Sequence, residues 1–249
     1  IFNLRSSRPG GAYCEIPCDI LSQEHTFDIA EAPAASPPQA NPAKMIEACK
    51  LLAAAQRPVI WAGTGALMSG AAEQIQQLSE LIGAMVIPTV LAKGIMPADA
   101  PNVVNIDGAL FTEVNEVVAQ ADVVLAVGTM FKQEDTAAWQ TKMGDKLIHI
   151  DIDPEEMGRS YQPDIAIVAN AQEALLAILD NLPNCTPSDS DWLAKGKAAQ
   201  KARLDKRRRD SPTEMQALDA LQAAVPPNGI IVADRCNLGY WAFRCFGGR

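Results

Sequence analysis

Between Pro42 and Pro183, short apolar runs alternate with segments of helical periodicity, and this alternation limits the fold more than any other feature of the chain. The apolar runs cover residues 58–62, 84–88, 103–106, 123–127, 147–152 and 165–168. Helical patterns lie between them, over 43–56, 71–82, 110–121 and 171–181. Most of the runs are almost continuously apolar, as strands covered on both faces are. Strands and helices in turn imply right-handed crossovers and a parallel sheet with helices on both sides. The expected fold class is therefore α/β: a doubly wound parallel sheet of about six strands flanked by helices, in a nucleotide-binding-like central domain.

The flanks have a different character. Residues 28–42 are rich in Ala and Pro without an apolar period and read as an extended linker; residues 184–191, rich in Ser, Pro and Asp, read as a second one. Residues 192–210 are polar and strongly charged. Their run Lys206-Arg207-Arg208-Arg209 is either a phosphate or RNA patch or the solvated face of a helix. Asp205 and Asp210 interrupt the positive charge and favour the solvated face. Residues 12–17 read as a strand, 215–225 as an amphipathic helix, 226–229 as a turn, 230–233 as a strand, and a helix begins near Leu238. A chain that starts at Ile1 so close to a strand, and stops soon after opening a new strand–helix unit, is expected to be an internal piece of a longer polypeptide.

Composition excludes several classes. The 249 residues are 48% hydrophobic and carry a formal net charge of −9, which argues against a nucleic-acid-binding face. No apolar run approaches the roughly 18 residues a membrane helix needs. The opening IFNLRSSRPGG lacks the apolar segment of a secretory signal. The six cysteines, Cys14, Cys18, Cys49, Cys185, Cys236 and Cys245, form no C-x-x-C pair. They read as small hydrophobes in a reducing compartment, hence a cytoplasmic protein, with metal binding or redox chemistry as the alternative. His25 and His149 are the only histidines, so no metal site is expected.

The run 58–62 leads into Gly63-Thr64-Gly65 at the carboxyl end of a strand, where ligands of parallel sheets collect. The dinucleotide fingerprint G-x-G-x-x-G fails, because Met68 holds its third glycine position and glycine returns only at Gly70. The second strand ends Ile87-Pro88-Thr89 without an acid for a ribose, and no Walker lysine follows. An NAD-dependent dehydrogenase is thereby disfavoured. Two more loops lie at strand ends: Gly128-Thr129-Met130 and Asp151-Ile152-Asp153. An acid there accepts hydrogen bonds from a nucleoside or caps the following helix; Asp153, before Pro154, fits either role. Three such loops on one sheet edge favour a binding crevice.

The order of motifs resembles the thiamine diphosphate-dependent enzymes, the group of acetolactate synthase, pyruvate oxidase and their decarboxylase relatives. Arg8-Pro9-Gly10-Gly11-Ala12-Tyr13-Cys14-Glu15-Ile16-Pro17-Cys18-Asp19-Ile20-Leu21 resembles the RPGPVxxEIPxDVL segment that closes that family's pyrimidine-binding domain. RPVIWAGTGA (57–66) looks like the first strand and loop of its central domain. Residues 88–97 resemble its T-x-x-x-K-G-x-x-P turn, 121–129 its ADxxLxxGT segment and 148–153 its HIDID, with Glu156 and Gly158 at the family spacing. The resemblance runs from about residue 5 to the C-terminus; it is specific as an ordered set, while each motif alone is weak.

It implies residues 1–21 as the end of a first domain, 22–42 as linker, 43–183 as the central domain, 184–212 as linker and 213–249 as the opening of a diphosphate-binding domain. The family's activating glutamate and its GDG…N magnesium motif fall outside these 249 residues, so this chain offers no catalytic or metal-ligating residue and is expected to be inert alone. The implied whole protein is a homodimer or homotetramer, using thiamine diphosphate and Mg2+ on a 2-oxo acid. Asp234-Arg235-Cys236-Asn237-Leu238-Gly239-Tyr240-Trp241 resembles a DVGQHQMW loop that contacts the cofactor's phosphates, matching Cys236, Asn237 and Leu238 by position, with Leu238 replacing a polar residue.

For the central domain the resemblance leaves FAD, an ADP-type nucleotide or an empty structural crevice open. Positions matching flavin contacts are Gly63, Thr64, Gly65, Thr89, Val90, Leu91, Gly128, Asp151, Ile152 and Glu156. Against a flavin, Met130 stands where GxRFDDR has arginine, with Lys132 two residues later, and Ala169-Asn170 replaces a glycine–aspartate pair. A nucleotide-binding module without thiamine chemistry and a purely structural domain remain the rival readings.

Overall fold

The computed structural model describes residues 7–28, 31, 36–106, 112–185, 188–226, 229–234 and 236–246. Five parallel strands form one sheet: β1 (Pro58–Ala62), β2 (Met85–Pro88), β3 (Val123–Val127), β4 (Lys146–Asp151) and β5 (Ile165–Val168), in the spatial order β2-β1-β3-β4-β5. Val59 pairs with Met85, Pro58 with Val123, Val123 with Lys146 and Ile148 with Ile165. The order reverses between β1 and β3, so the chain builds to both sides from the centre, and a crevice opens beyond the carboxyl ends of those two strands.

Helices follow the strands on both faces. In chain order they are α1 (Cys18–Leu21), α2 (Pro42–Ala54), α3 (Thr64–Met68), α4 (Ala72–Ile82), α5 (Glu113–Val118), α6 (Ala171–Asn181), α7 (Trp192–Asp210), α8 (Pro212–Ala224) and α9 (Asn237–Cys245). Local chemistry sets several ends. The side chain of Asn41 accepts from Ala43 N ahead of Pro42 at the start of α2, and that of Asn170 accepts from Gln172 N and Glu173 N at the start of α6.

Because side chains alternate along a strand, the sheet has two cores. On one face Ile60, Leu125, Ile148 and Ile165 meet Leu52 of α2, Leu78 of α4 and Leu175 of α6. On the other, Trp61, Met85, Val124 and Leu147 meet Val114 and Val118 of α5 and Trp192 of α7. Each such buried aliphatic side chain contributes roughly 1.5–3 kcal/mol, which is why the runs read as continuously apolar.

α7 is the charged segment 192–210. Its buried residues Trp192, Gly196, Ala199 and Arg203 recur every three or four positions and form one narrow stripe against the sheet. A Cβ at Gly196 would lie 2.4 Å from the end of the Met85 side chain, so glycine lets the helix approach β2. The Trp192 indole N–H donates to the Pro58 carbonyl (2.9 Å). The basic run is engaged by the protein itself: Lys206 pairs with Asp210, Arg208 is bidentate to Asp219 of α8, and Arg207 lies over the Trp241 ring of α9.

Three expectations are corrected. The sheet has five strands rather than about six. The run 103–106 is buried but joins the edge through a single bridge, Val86 with Val103. Side chains of α7 take the backbone groups that a longer ladder would use: Lys197 Nζ donates to the carbonyl oxygens of Ala100 and Val103, and Asn105 N donates to Gln200 Oε1. Residues 12–17 and 230–233 are also not strands. Residues 12–17 are exposed and 230–233 are exposed or half-buried, with Ile230 and Val232 about nine-tenths accessible, and neither segment has a ladder partner among the described residues. The helix expected over 110–121 is observed as α5, and residues 110 and 111 lie outside the described residues.

Candidate functional site

At the switch in strand order the loop after β1 crosses the loop after β3. Gly63 N donates to the Val127 carbonyl (2.8 Å), Gly65 N to the Gly128 carbonyl (2.9 Å) and Gly128 N to the Ile150 carbonyl (2.8 Å). A Cβ on Gly63 would lie 2.2 Å from Gly128 O. One on Gly128, which has φ +59°, would lie 2.3 Å from Ala66 N. The space denied at these glycines is filled by the facing loop's backbone. Loop-on-loop approach therefore accounts for the G-T-G without a phosphate.

Above this crossing lies a crevice of about 420 Å³. Of the sequence-derived candidates, Thr64, Gly65, Thr89, Leu91, Gly128, Asp151, Ile152 and Glu156 line it. Gly63 sits behind them in the loop crossing, and Val90 N donates to Asp135 Oδ1 (2.9 Å). Cys236, Asn237 and Leu238 lie elsewhere, at the amino end of α9, where Cys236 Sγ accepts from Gly239 N (3.3 Å).

The lining includes Asp135, Asp151 and Glu156, facing the cations Arg8 and Lys132. Burial pushes the Asp151 carboxyl up to about 6, opposed by the hydrogen bond from Asp153 N and reinforced by the charges of Glu156 and Asp153. Burial also raises Asp135, against the lowering effect of the Val90 N–H. Glu156 is enclosed. Its Oε1 accepts from Arg8 (3.1 Å) and Arg159 (3.0 Å), while Oε2 meets no hydrogen-bond donor among the described residues. Arg8 Nη2 also reaches Met130 Sδ (3.5 Å), so a segment from the start of the chain roofs one side of the crevice.

His149 lies under the crevice floor. Its Nε2–H donates to the Thr129 carbonyl (2.9 Å), its ring meets Phe131 edge-on at 5.0 Å, and burial lowers its pKa to about 4. It is held as a neutral core residue.

Arg8, Asp135 and Thr129 were not among the candidate residues. Arg8 belongs to a recognised motif, but nothing in its local sequence places it over a loop 148 residues away. Asp135 reads as one acid in a polar stretch until its bond to Val90 is seen.

A parallel sheet of this order, with a glycine-crossed crevice at the switch, defines a doubly wound α/β domain. Residues 45–178 match the family model described as "Thiamine pyrophosphate enzyme, central domain", and the chain belongs to the thiamine pyrophosphate enzyme family. It is similar to a probable 2-ketoarginine decarboxylase of Pseudomonas aeruginosa, 33% identical over 98% of this chain and 44% of that protein. It is also similar to a probable acetolactate synthase large subunit of Methanocaldococcus jannaschii (32%; 76% of this chain, 34% of the relative) and to a glyoxylate carboligase of Escherichia coli O157:H7 (32%; 71% and 31%). The chain thus spans less than half the length of these curated relatives.

Proposed function

We propose that the chain is the central part of a thiamine diphosphate-dependent decarboxylase or carboligase acting on a 2-oxo acid. Residues 1–21 would end one domain, 43–183 form the central domain, and 213–249 open a diphosphate-binding domain, with 22–42 and 184–212 as connections. The observation that carries this reading is the ordered set of family motifs from Arg8 to Gly158, together with relatives that combine decarboxylase and carboligase names. When bound, thiamine diphosphate would act as an electron sink for the substrate's carboxylate-bearing carbon.

The amino end of α9 supports the diphosphate part of this reading through its helix dipole. Cys236 caps the first turn, and Gly239 packs so tightly on the Asp234 carbonyl that a Cβ would lie 2.2 Å from that oxygen. The first turn of the nine-residue helix is a favourable place for negative charge. Cys236, Asn237 and Leu238 would supply that wall of the site. Among the described residues no group of three His, Cys, Asp or Glu side chains is placed to hold a metal ion, so Mg2+ in this reading rests on the resemblance alone. Among the same residues no helix is long and apolar enough to cross a membrane. A cytoplasmic homodimer or homotetramer completes the proposal.

The test is carbon dioxide release from a panel of 2-oxo acids by the full-length polypeptide, with thiamine diphosphate and Mg2+ added or withheld. Release that depends on both supports the reading; none with either present overturns it. The 249-residue chain alone is expected to release none.

A second reading concerns the crevice, as a site for FAD or an ADP-type nucleotide. The enclosed Glu156 Oε2, an acceptor with no donor among the described residues, favours it, because a ribose hydroxyl would supply one. Thr64, Gly65, Thr89, Leu91, Gly128, Asp151 and Ile152 would form the walls, with Gly63 and Val90 behind. Calorimetric titration with ADP and with FAD tests it; absence of heat with both leaves the crevice structural.

A further inference from the structure

The proposed cofactor contacts fall at the amino end of α9, and the central domain grips the same helix at its other end. Lys93 follows the 3-10 turn Val90–Ala92 after β2 and precedes Gly94, whose φ is +89°. Its ammonium donates to the carbonyl oxygens of Phe243 and, at 2.8 Å, Arg244, in the last turn of α9 and some 150 residues further along the chain. Last-turn carbonyls lack intrahelical donors and carry the negative end of the helix dipole, so an ammonium there satisfies both needs at once.

The turn that carries Lys93 is itself held. Thr89 N donates to the Ala62 carbonyl (2.9 Å), Ala92 N to the Thr89 carbonyl (2.9 Å), and Val90 N to Asp135 Oδ1 (2.9 Å). These contacts tie the turn to the end of β1 and to the crevice wall. On the flank of α9, the Arg207 guanidinium lies 5.3 Å from the centre of the Trp241 ring. Arg207 thus meets the side of the helix, whereas Lys93 meets its carboxyl end. At 1.5 Å per residue a nine-residue helix is a rod of about 13 Å, short enough to pass an axial shift at its carboxyl end to Asn237 at its amino end.

We propose that Lys93 is a positioning residue for the diphosphate wall. By holding the carboxyl end of α9 against the β2 turn, it sets where Cys236 and Asn237 stand relative to the cofactor. The assignment rests on the thiamine diphosphate reading above. Lys93 does not touch the cofactor in this scheme. It acts through the helix, and links the crevice edge of the central domain to the opening of the next domain.

The test uses the full-length polypeptide with Mg2+. The dissociation constant for thiamine diphosphate is measured by calorimetry for the wild type, Lys93→Met and Lys93→Arg, alongside KM for the cofactor, kcat with a 2-oxo acid and the melting temperature of the cofactor-free protein. Lys93→Met removes the charge while keeping the aliphatic stem. It is expected to raise the dissociation constant roughly two- to fivefold, the scale of a charge at a helix terminus, with the loss in KM for the cofactor rather than in kcat. Lys93→Arg keeps a cation with donors and is expected to restore most of the affinity.

Wild-type affinity in a folded Lys93→Met protein would overturn the assignment. So would a loss shared equally between kcat and KM that Arg fails to rescue, and so would a Lys93→Met chain that does not fold, which would make the residue structural. A wild type that binds no thiamine diphosphate would overturn the proposed cofactor use and this assignment with it, and is distinguished by appearing before any variant is compared.

Discussion

Gly63 and Gly128 meet backbone to backbone where the first and third strands end: a Cβ on Gly63 would sit 2.2 Å from the Gly128 carbonyl oxygen and 2.6 Å from Thr129 Cβ. The neighbouring atoms are main chain on one side and a Cβ on the other, so nothing flexible can yield. Gly63→Ala is expected to lower stability by about 3 kcal/mol. Gly128→Ala, which adds the strain of its positive φ, is expected to cost about 4 kcal/mol. Gly70→Ala is the control: φ is +74° but the nearest atom lies 3.8 Å away, so it should cost only about 1 kcal/mol. Urea denaturation of the three variants decides the matter. A Gly63→Ala protein as stable as Gly70→Ala would mean that the loop crossing is not what requires glycine.

Glu156 holds two half-exposed arginines on one enclosed carboxylate oxygen. Removing either alone leaves the charge paired, so Arg8→Ala and Arg159→Ala should each cost less than about 1 kcal/mol. Removing both strands a buried charge, and the double variant should cost about 3 kcal/mol, well above the sum. Strict additivity in a double-mutant cycle would show that solvent reaches Glu156 and that the pairing matters little.

His149 and Asp151, two residues apart on one strand, respond to acid in opposite senses. His149 has a folded pKa of about 4, below its ordinary 6.5, so the unfolded chain takes its proton first and stability is lost as pH falls from 6.5 to 4. Asp151 has a folded pKa of about 6, above its ordinary 3.8, so the folded chain takes its proton first and stability is gained as pH falls from 6 to 3.8. Each effect is about 3 kcal/mol at most, because a tenfold change in proton affinity is worth about 1.36 kcal/mol, and over much of the range they cancel. Relative to wild type, Asp151→Asn should lose stability by up to that amount between pH 6.5 and 4, and His149→Gln should gain it. Stability curves of both variants parallel to wild type across this window would refute the pairing of slopes.

Three successive residues, Ala137, Ala138 and Trp139, have φ between +51° and +59°, a left-handed turn built without glycine. It is pinned by the Trp139 indole N–H donating to the Phe131 carbonyl (2.9 Å) and by Trp139 N donating to Thr136 Oγ1 (3.1 Å). Ala138 is exposed, so Ala138→Gly relieves strain without leaving a void and is expected to stabilise by about 0.5–1 kcal/mol. A lower melting temperature for Ala138→Gly would show that the turn is not under strain.

The bounds of β1, β3, β5 and α6 were legible residue by residue, because their apolar run or helical period is a local property with a cap or turn at each end. The run 103–106 looks the same locally and is not a strand of the sheet. Its backbone partners, Lys197 and Gln200, lie 94 and 95 residues further on, and no period within the run encodes them. The charged segment 192–210 shows the converse: three small or aromatic positions, Trp192, Gly196 and Ala199, with the buried Arg203, form the stripe that seats it on the sheet, which composition alone conceals.

At the crevice the division is similar. Strand ends are the carboxyl-edge loops of any parallel sheet, so Gly65, Thr89, Gly128 and Asp151 could be named together from the order of strands and loops. Arg8 over Glu156, Asp135 on Val90 and the gap between Gly63 and Gly128 could not, since each depends on two segments meeting at ångström distances. The layered α/β domain and its family follow from hydrophobic periodicity and motif order, which are written along the chain and need no contact to be read. Which charges share the crevice, and why its loops need glycine, follow only from the folded molecule, because both depend on packing between residues that the chain keeps far apart.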